Sequence, residues 1–469
     1  MKQNSVELEI STYSKKGHGI GHLKISSSLQ KVQVEGSVIG DLLSVSLQKK
    51  RKSTSIGTLL HIVSPSKSRT KPRCAHSAQC GGCTFQQTDY SSQLAFKESV
   101  VKDSFKDLLD HADVRPIIAC ENPWHYRNKM EFSFSQNKEG EKFLGLNLAN
   151  GRGKVVNLNE CHLVSSWFLM ILKAVKKWWE GSLLAAYHPP SDRGTLRTLT
   201  VREGKRTNKK MVILTVSGNH DYFLNKSDLN DFKQAILKSL PGENPSIFLK
   251  IHRIKKGKPT DFYEMHLHGP DTLHETLHIG EKTLHFYLSP SSFFQPNTLQ
   301  AEKLFLLARK MVPLTPRDRV YDLYCGIGAF GAVFAPFVKK VIGIEENPYA
   351  VCDSQATVEE NDIPNLSIIK GSVGSVLSEF QLKPDLVIVD PPRAGLDLLA
   401  MEHLERLRPQ KILYVSCNVE TQSKNILHLV KVGYILKAIQ PVDQFPHTPH
   451  IENIAYLELK ASNNATYPL

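Results

Sequence analysis

No stretch of this 469-residue chain holds the about 20 uncharged apolar residues that a membrane-spanning helix needs. Its first residues, MKQNSVELEI, lack the basic-then-apolar order of a secretory leader. These absences read as a soluble, cytoplasmic protein. Cysteine is sparse, eight residues in all, and without a leader it does not build a disulfide framework. Internal repeats and low-complexity tracts are missing too, which sets repeat architectures and disordered scaffolds aside. What remains is a chain with 41% hydrophobic residues, enough for more than one buried core and for two to four domains.

Acidic residues are outnumbered, and the imbalance is local. Of the net charge of +13, residues 1–73 carry +9, from thirteen Lys/Arg against four Asp/Glu. A basic excess concentrated at one end suits contact with a phosphate backbone, and it also suits a solvated basic face.

Short apolar-polar alternations (VELEI, KVQVEG, LLSVSL, GTLLHIV) broken by GHGIGH and KKRKSTS predict a small β-barrel over residues 1–64. A basic linker, SPSKSRTKPR, opens a cysteine segment at 65–92. Apolar residues at helical spacing over 93–110 predict an amphipathic helix within 93–120. Residues 121–288 read as an α+β domain with strands KMEFSFS, TLTVRE, KMVILTVS and IFLKIHRI and a helix near 229–240. From 289 to 469 apolar strands (VYDLY, VIGIEE, LSIIKG, DLVIVD, KILYVS, IAYLEL) alternate with helices, predicting a mostly parallel, Rossmann-like sheet whose ligands sit beyond the strands' carboxyl ends.

Three of those ends carry the pattern of a nucleoside site. In VYDLYCGIGAFG, Gly326 and Gly328 permit a sharp turn and close backbone approach, a device that alone serves many nucleotides. About twenty residues on, Glu345 can accept from both hydroxyls of a ribose. No Walker-type lysine follows the glycines, so an adenosyl ligand without phosphates, such as S-adenosylmethionine, fits better than a nucleoside phosphate. DLVIVDPPRAG delivers Asp390 to the sheet edge, and Arg393 stands where amino-group methyltransferases place a base-stacking aromatic.

KILYVSCN places Cys417 at the same edge. A lone cysteine is commonly a small buried hydrophobe. Beside a methyl donor it has a use: a thiolate adding to uracil C6 makes C5 nucleophilic, and a base must then remove the C5 proton. In FPHTPHIENIAYLEL, Glu452 lies just before the closing strand on an expected loop and is the preferred base, with His447 and His450 as rivals.

Taken in order, GHGIGH, the cysteine cluster, YRNKMEFSF, SFFQPN, DLYCGIG, DPPRAG, YVSCN and FPHTPHIE resemble the RNA 5-methyluridine methyltransferase family, specifically its iron–sulfur branch acting on 23S ribosomal RNA. The resemblance covers nearly the whole chain. It implies an N-terminal OB-like TRAM barrel, a central α+β domain with RNA contacts, Cys417 as nucleophile and Glu452 as base. It further implies that Gln295, Tyr324, Glu345 and Asp390 bind S-adenosylmethionine and that Cys74, Cys80, Cys83 and Cys161 ligate a [4Fe–4S] cluster. The C-x5-C-x2-C spacing with a distant fourth thiol and the pliable Gly81-Gly82 pair suits such a cluster, with zinc as the rival. Departures from the family are Val419 in place of proline, Ala329 in place of Thr or Asn, and Ser372 in place of an acidic residue. Transfer RNA as substrate, cytosine C5 as target, and a non-catalytic RNA-binding or assembly factor are the competing readings.

Overall fold

A computed structural model of the chain describes residues 5–25, 28–48, 54–110, 112–149, 151, 153–253 and 261–460. The N-terminal alternations form strands Ser5–Glu9, Thr12–Tyr13, Gly19–Ile25, Ser28–Val34, Leu42–Leu47 and Thr54–Ser64. In space the first pairs with the fifth, then follow the sixth, fourth, third and second. Their inward residues Leu8, Ile10, Val32, Val34, Leu43 and Val45 make a small core. GHGIGH, expected as a break, is half turn and half strand: Gly17 takes φ +78°, whereas Gly19 begins a strand. Gly21 lies so close to the first strand that an added Cβ would stand 2.3 Å from the Glu9 carbonyl oxygen, and this close approach curls the sheet. Of the expected break KKRKSTS, residues 49–53 lie outside the described residues. The linker is tied back by Arg69, which donates through Nε to Asp41 Oδ1 at 3.0 Å and through Nη2 to Oδ2 at 2.5 Å.

The helix expected after the cysteine segment is Tyr90–Phe105, its N-terminus capped by Asp89, which accepts from Ser92 N at 2.9 Å. Gln93, Lys97, Val101 and Phe105 repeat every four residues and form its buried stripe. Val101 and Phe105 join the core of the C-terminal domain, and the chain beyond adds Asp113–Val114 as an edge strand of that domain's sheet.

The central domain is a seven-stranded sheet with the order Val155–Asn157, Lys142–Asn147, Lys129–Gln136, Leu196–Glu203, Lys210–Ser217, Ser246–Arg253, Asp261–His268. All four expected strands are there; Ile254, the last residue of IFLKIHRI, lies outside the described residues. Helices Ser166–Glu180 and Lys226–Ser239 share one core with the sheet. The first of these was not anticipated, although Trp167, Phe168, Ile171, Leu172, Val175 and Trp179 bury a helical stripe. A hairpin, Leu273–Ile279 with Lys282–Leu288, precedes the expected boundary at 288 yet packs into the core of the C-terminal domain against helix Thr298–Met311.

That domain carries eight strands ordered Leu366–Lys370, Lys340–Glu345, Arg319–Leu323, Leu386–Val389, Lys411–Ser416, Glu452–Leu459, Tyr434–Val442, Asp113–Val114. The first five are parallel, and the middle ones carry unbroken apolar runs (LVIV, ILYV) because helices cover both faces. Glu452–Leu459 is inserted antiparallel between Lys411–Ser416 and Tyr434–Val442, the latter a strand that sequence patterning left unassigned.

Candidate active site

Strand Arg319–Leu323 ends in a turn where Tyr324, Gly326 and Gly328 all adopt positive φ, +60°, +54° and +78°. The turn is fastened to the neighbouring strand by Glu345, whose Oε2 accepts from Gly326 N at 2.9 Å and whose Oε1 accepts from Asn347 N at 2.7 Å. Beneath it the buried Asp322 accepts from Gly331 N at 2.9 Å, and burial pushes its carboxyl up to about 8. Gly328 is the left-handed N-cap of helix Ala329–Phe334, and so shapes the loop from which the helix starts.

The next parallel strand delivers Asp390, and burial raises its carboxyl to about 7. One strand further on, Lys411–Ser416 delivers Cys417. Because Ser416 pairs with Asn453, the antiparallel register sets Glu452 beside Cys417 at the sheet edge. Gln422 locks that register: its Nε2 donates to the Tyr414 carbonyl at 2.8 Å and to the Asn453 carbonyl at 3.1 Å, and its Oε1 accepts from Asn453 Nδ2 at 2.7 Å. Glu452 was expected on a loop just before the closing strand; it is the first residue of that strand and is buried. Burial and the nearby Asp390 hold its carboxyl well above the ordinary range, against the pull of Arg393. Burial likewise raises the half-buried Cys417 thiol, as does Glu452, whereas Arg393 opposes both by charge and by a hydrogen bond to the thiol.

Arg393 was noted in the sequence only as a departure from another pattern. Its carbonyl accepts from Asn418 Nδ2 at 2.9 Å and from Thr421 Oγ1 at 3.3 Å, which ties the Asp-Pro-Pro-Arg turn to the cysteine's own helix. Val419 stands at the first position of that helix, whose N-cap is Asn418, so a proline there would have forfeited no intrahelical bond.

His447 and His450, the rival bases, stand elsewhere on the closing loop. Burial and the nearby Lys97 push the His447 imidazole down to about 4, His450 is exposed, and neither forms part of the cavity wall. His447, at φ +64°, stacks on Trp124 with ring centroids 3.9 Å apart, and its carbonyl accepts from Thr84 N and Phe85 N, each at 3.1 Å. Its role is to join the closing loop to the cysteine segment.

These groups face one cavity of about 840 Å³, whose wall includes Gln295, Tyr324, Gly326, Glu345, Asp390, Arg393, Cys417 and Glu452. Cys74, Cys80, Cys83 and Cys161 line it too. All four are free thiols. The segment folds tightly: Gly81 N donates to the Asn147 carbonyl at 3.0 Å, Cys74 N to Gln86 Oε1 at 3.1 Å, and Gly82 N to Cys80 Sγ at 3.4 Å. Burial, augmented by the charges the other thiols would carry, pushes Cys80 up to about 11 and Cys83 up to about 12. Four desolvated thiols that oppose one another's ionisation suit a cationic centre, which removes that penalty. Among the described residues no three His, Cys, Asp or Glu side chains converge tightly enough for a single ion.

Residues 248–460 match the family model described as tRNA (Uracil-5-)-methyltransferase. An uncharacterized RNA methyltransferase of Protochlamydia amoebophila is 46% identical over 91% of this chain and 100% of its own length. One from Chlamydia trachomatis is 38% identical over 82% and 98%. Among solved structures, the Pyrococcus abyssi tRNA (uracil-54, C5)-methyltransferase in complex with S-adenosyl-L-homocysteine superimposes with a TM-score of 0.72 at 26% identity, covering 96% of this chain and 99% of that one. Identity of this extent, over whole chains and around a cavity of this build, means that the chain belongs to the RNA 5-methyluridine methyltransferase family and is an S-adenosylmethionine-dependent RNA (uracil-5-)-methyltransferase.

Proposed function

We propose that the chain methylates a uridine of 23S ribosomal RNA through a covalent adduct on Cys417. The observation that carries this reading is the register that pairs Ser416 with Asn453 and so sets a thiol and a buried carboxyl side by side in the cavity. A base-flipped uridine enters, and the Cys417 thiolate adds to C6, placing the electron pair on the C5 enolate. C5 takes the methyl group and S-adenosylhomocysteine leaves. Glu452 removes the C5 proton, and elimination expels the thiolate. A carboxyl raised by burial is a stronger base once ionised, which suits proton removal from carbon. Gln295, Tyr324, Gly326, Glu345 and Asp390 hold the methyl donor.

The curled, basic N-terminal sheet is read as the OB-like TRAM module, gripping RNA together with the central domain. Cys74, Cys80, Cys83 and Cys161 are read as ligands of a [4Fe–4S] cluster. Zinc, at about 2.3 Å from each sulfur, asks for tighter convergence than a cluster in which each thiolate holds its own iron. The family resemblance of barrel and thiol wall together favours ribosomal RNA; the similarity to the Pyrococcus tRNA (uracil-54, C5)-methyltransferase favours transfer RNA as second reading.

Two substitutions test the chemistry. Cys417→Ala should abolish methylation while RNA binding is retained, and Glu452→Gln should accumulate a methylated protein–RNA adduct that survives a denaturing gel. Normal turnover by Cys417→Ala overturns the scheme and, were no variant or parent to turn over even once, the binding-factor reading would replace it. Nucleoside mapping of 23S and transfer RNA from cells lacking the protein identifies the substrate. Anaerobically purified protein should be brown, with absorbance near about 400 nm; colourless, zinc-containing protein refutes the cluster.

A further inference from the structure

Gln444 is wholly buried in the loop between strands Tyr434–Val442 and Glu452–Leu459. Its Nε2 donates to Gln295 Oε1 at 3.2 Å and to the Asn297 carbonyl at 3.4 Å. The second contact orients both amides, because a backbone carbonyl only accepts. The atom that Gln444 turns toward it is therefore the NH2, and the atom of Gln295 facing that NH2 is the oxygen. Gln295 must then direct its own NH2 elsewhere; it lines the cavity, and no described residue accepts from its Nε2.

The loop bearing Gln444 is held on both sides. Asn297 Nδ2 donates to the Gln444 carbonyl at 3.4 Å, and the buried Lys97 pairs with Asp443 at 2.6 Å and donates to the Phe445 carbonyl at 3.0 Å. Meanwhile Gln444 Oε1 is buried with no partner among the described residues. An apolar side chain of the same length would fill this place without that desolvation cost, so the amide is retained for its donor.

We infer that Gln444 is a positioning residue of the methyl-transfer site, fixing the Gln295 carboxamide with its NH2 toward the cavity as a donor to an oxygen of a bound ligand. That oxygen belongs either to the methionyl carboxylate of the methyl donor or to a carbonyl of the flipped uracil. The ligands rest on the proposed reaction; the amide orientation does not.

Gln444→Met keeps the volume and loses the donor. In protein labelled with side-chain 15N glutamine, the Gln295 carboxamide signals, assigned by their loss in Gln295→Leu, should shift in Gln444→Met. The same change should lower kcat/KM about five- to tenfold without lowering the melting temperature. In a Gln295→Leu background it should cost less than about twofold. A fall in S-adenosylhomocysteine affinity assigns the carboxylate, and a fall confined to RNA turnover assigns the base. Unmoved Gln295 signals, or an equal loss in both backgrounds, overturn the inference. Wild-type protein that forms no 5-methyluridine, while those signals still shift in Gln444→Met, overturns the proposed reaction alone.

Discussion

Around Cys417, burial and two carboxyls raise the thiol, and the Arg393 guanidinium opposes them by charge and by a hydrogen bond. In the proposed reaction only the thiolate attacks C6, so kcat/KM should rise with pH through the neutral and alkaline range until the thiol is ionised. Arg393→Met should move that rise to higher pH, so that turnover falls most at low pH and recovers in part as pH increases; a pH–rate profile of both proteins reads the displacement. An unshifted profile would remove Arg393 from thiol activation. At this scale the sequence was informative: Cys417, Glu345 and Asp390 were legible because each ends an apolar strand, a position that a parallel sheet turns into a pocket edge. Arg393 and Gln444 were not, since their importance comes from partners 24 to 149 positions away, which no local pattern records.

Two buried ion pairs dock elements onto one another. Lys97, on helix Tyr90–Phe105, meets Asp443 with both side chains fully buried, and Tyr90 OH donates to the same carboxylate at 2.7 Å. Lys97→Met strands that charge and should destabilise the fold by about 3–5 kcal/mol, measurable by denaturant unfolding, with loss of activity because the loop leading to Glu452 is released. At the other end, Asp41 is buried, which on its own would raise its carboxyl, but Arg69 and the Ser66 and Val38 amides outweigh burial and lower it. A lowered carboxyl stabilises the fold above the ordinary range near about 3.9 and loses that contribution as pH falls through its folded value. The N-terminal sheet should therefore become acid-labile first, and Arg69→Met should shift its unfolding to higher pH, as followed by circular dichroism. Most buried strands were legible as apolar runs or alternations, but Tyr434–Val442, with Lys437 and Pro441 inside its run, was not. Helix Ser166–Glu180 was missed although its signal is present, an apolar stripe opposite Lys173, Lys176 and Lys177, and Glu452 was misassigned to a loop because proline and histidine upstream mask the strand start.

For the whole molecule, the concentration of positive charge in residues 1–73 predicts that RNA affinity falls steeply with salt. Changing Lys15 and Lys16 to Gln should weaken binding alike for all RNA sequences and flatten the slope of log affinity against log salt by roughly one to two charges. Filter binding at several salt concentrations checks this. Domain order was legible from the change of rhythm along the chain, but the attachment of hairpin 273–288 to the C-terminal core was not, because an isolated hairpin shows only that it has an apolar face and not which neighbour covers it.

The strand Glu452–Leu459 lies between Lys411–Ser416 and Tyr434–Val442, and the latter also holds Asp113–Val114 from far upstream. During synthesis Cys417 and the glycine turn are made before Glu452, the proposed base that completes them. A nascent chain halted between residues 417 and 452 thus bears the thiol without its carboxyl partner and a sheet with an open seam, which closes only when strand Glu452–Leu459 slides between its two neighbours.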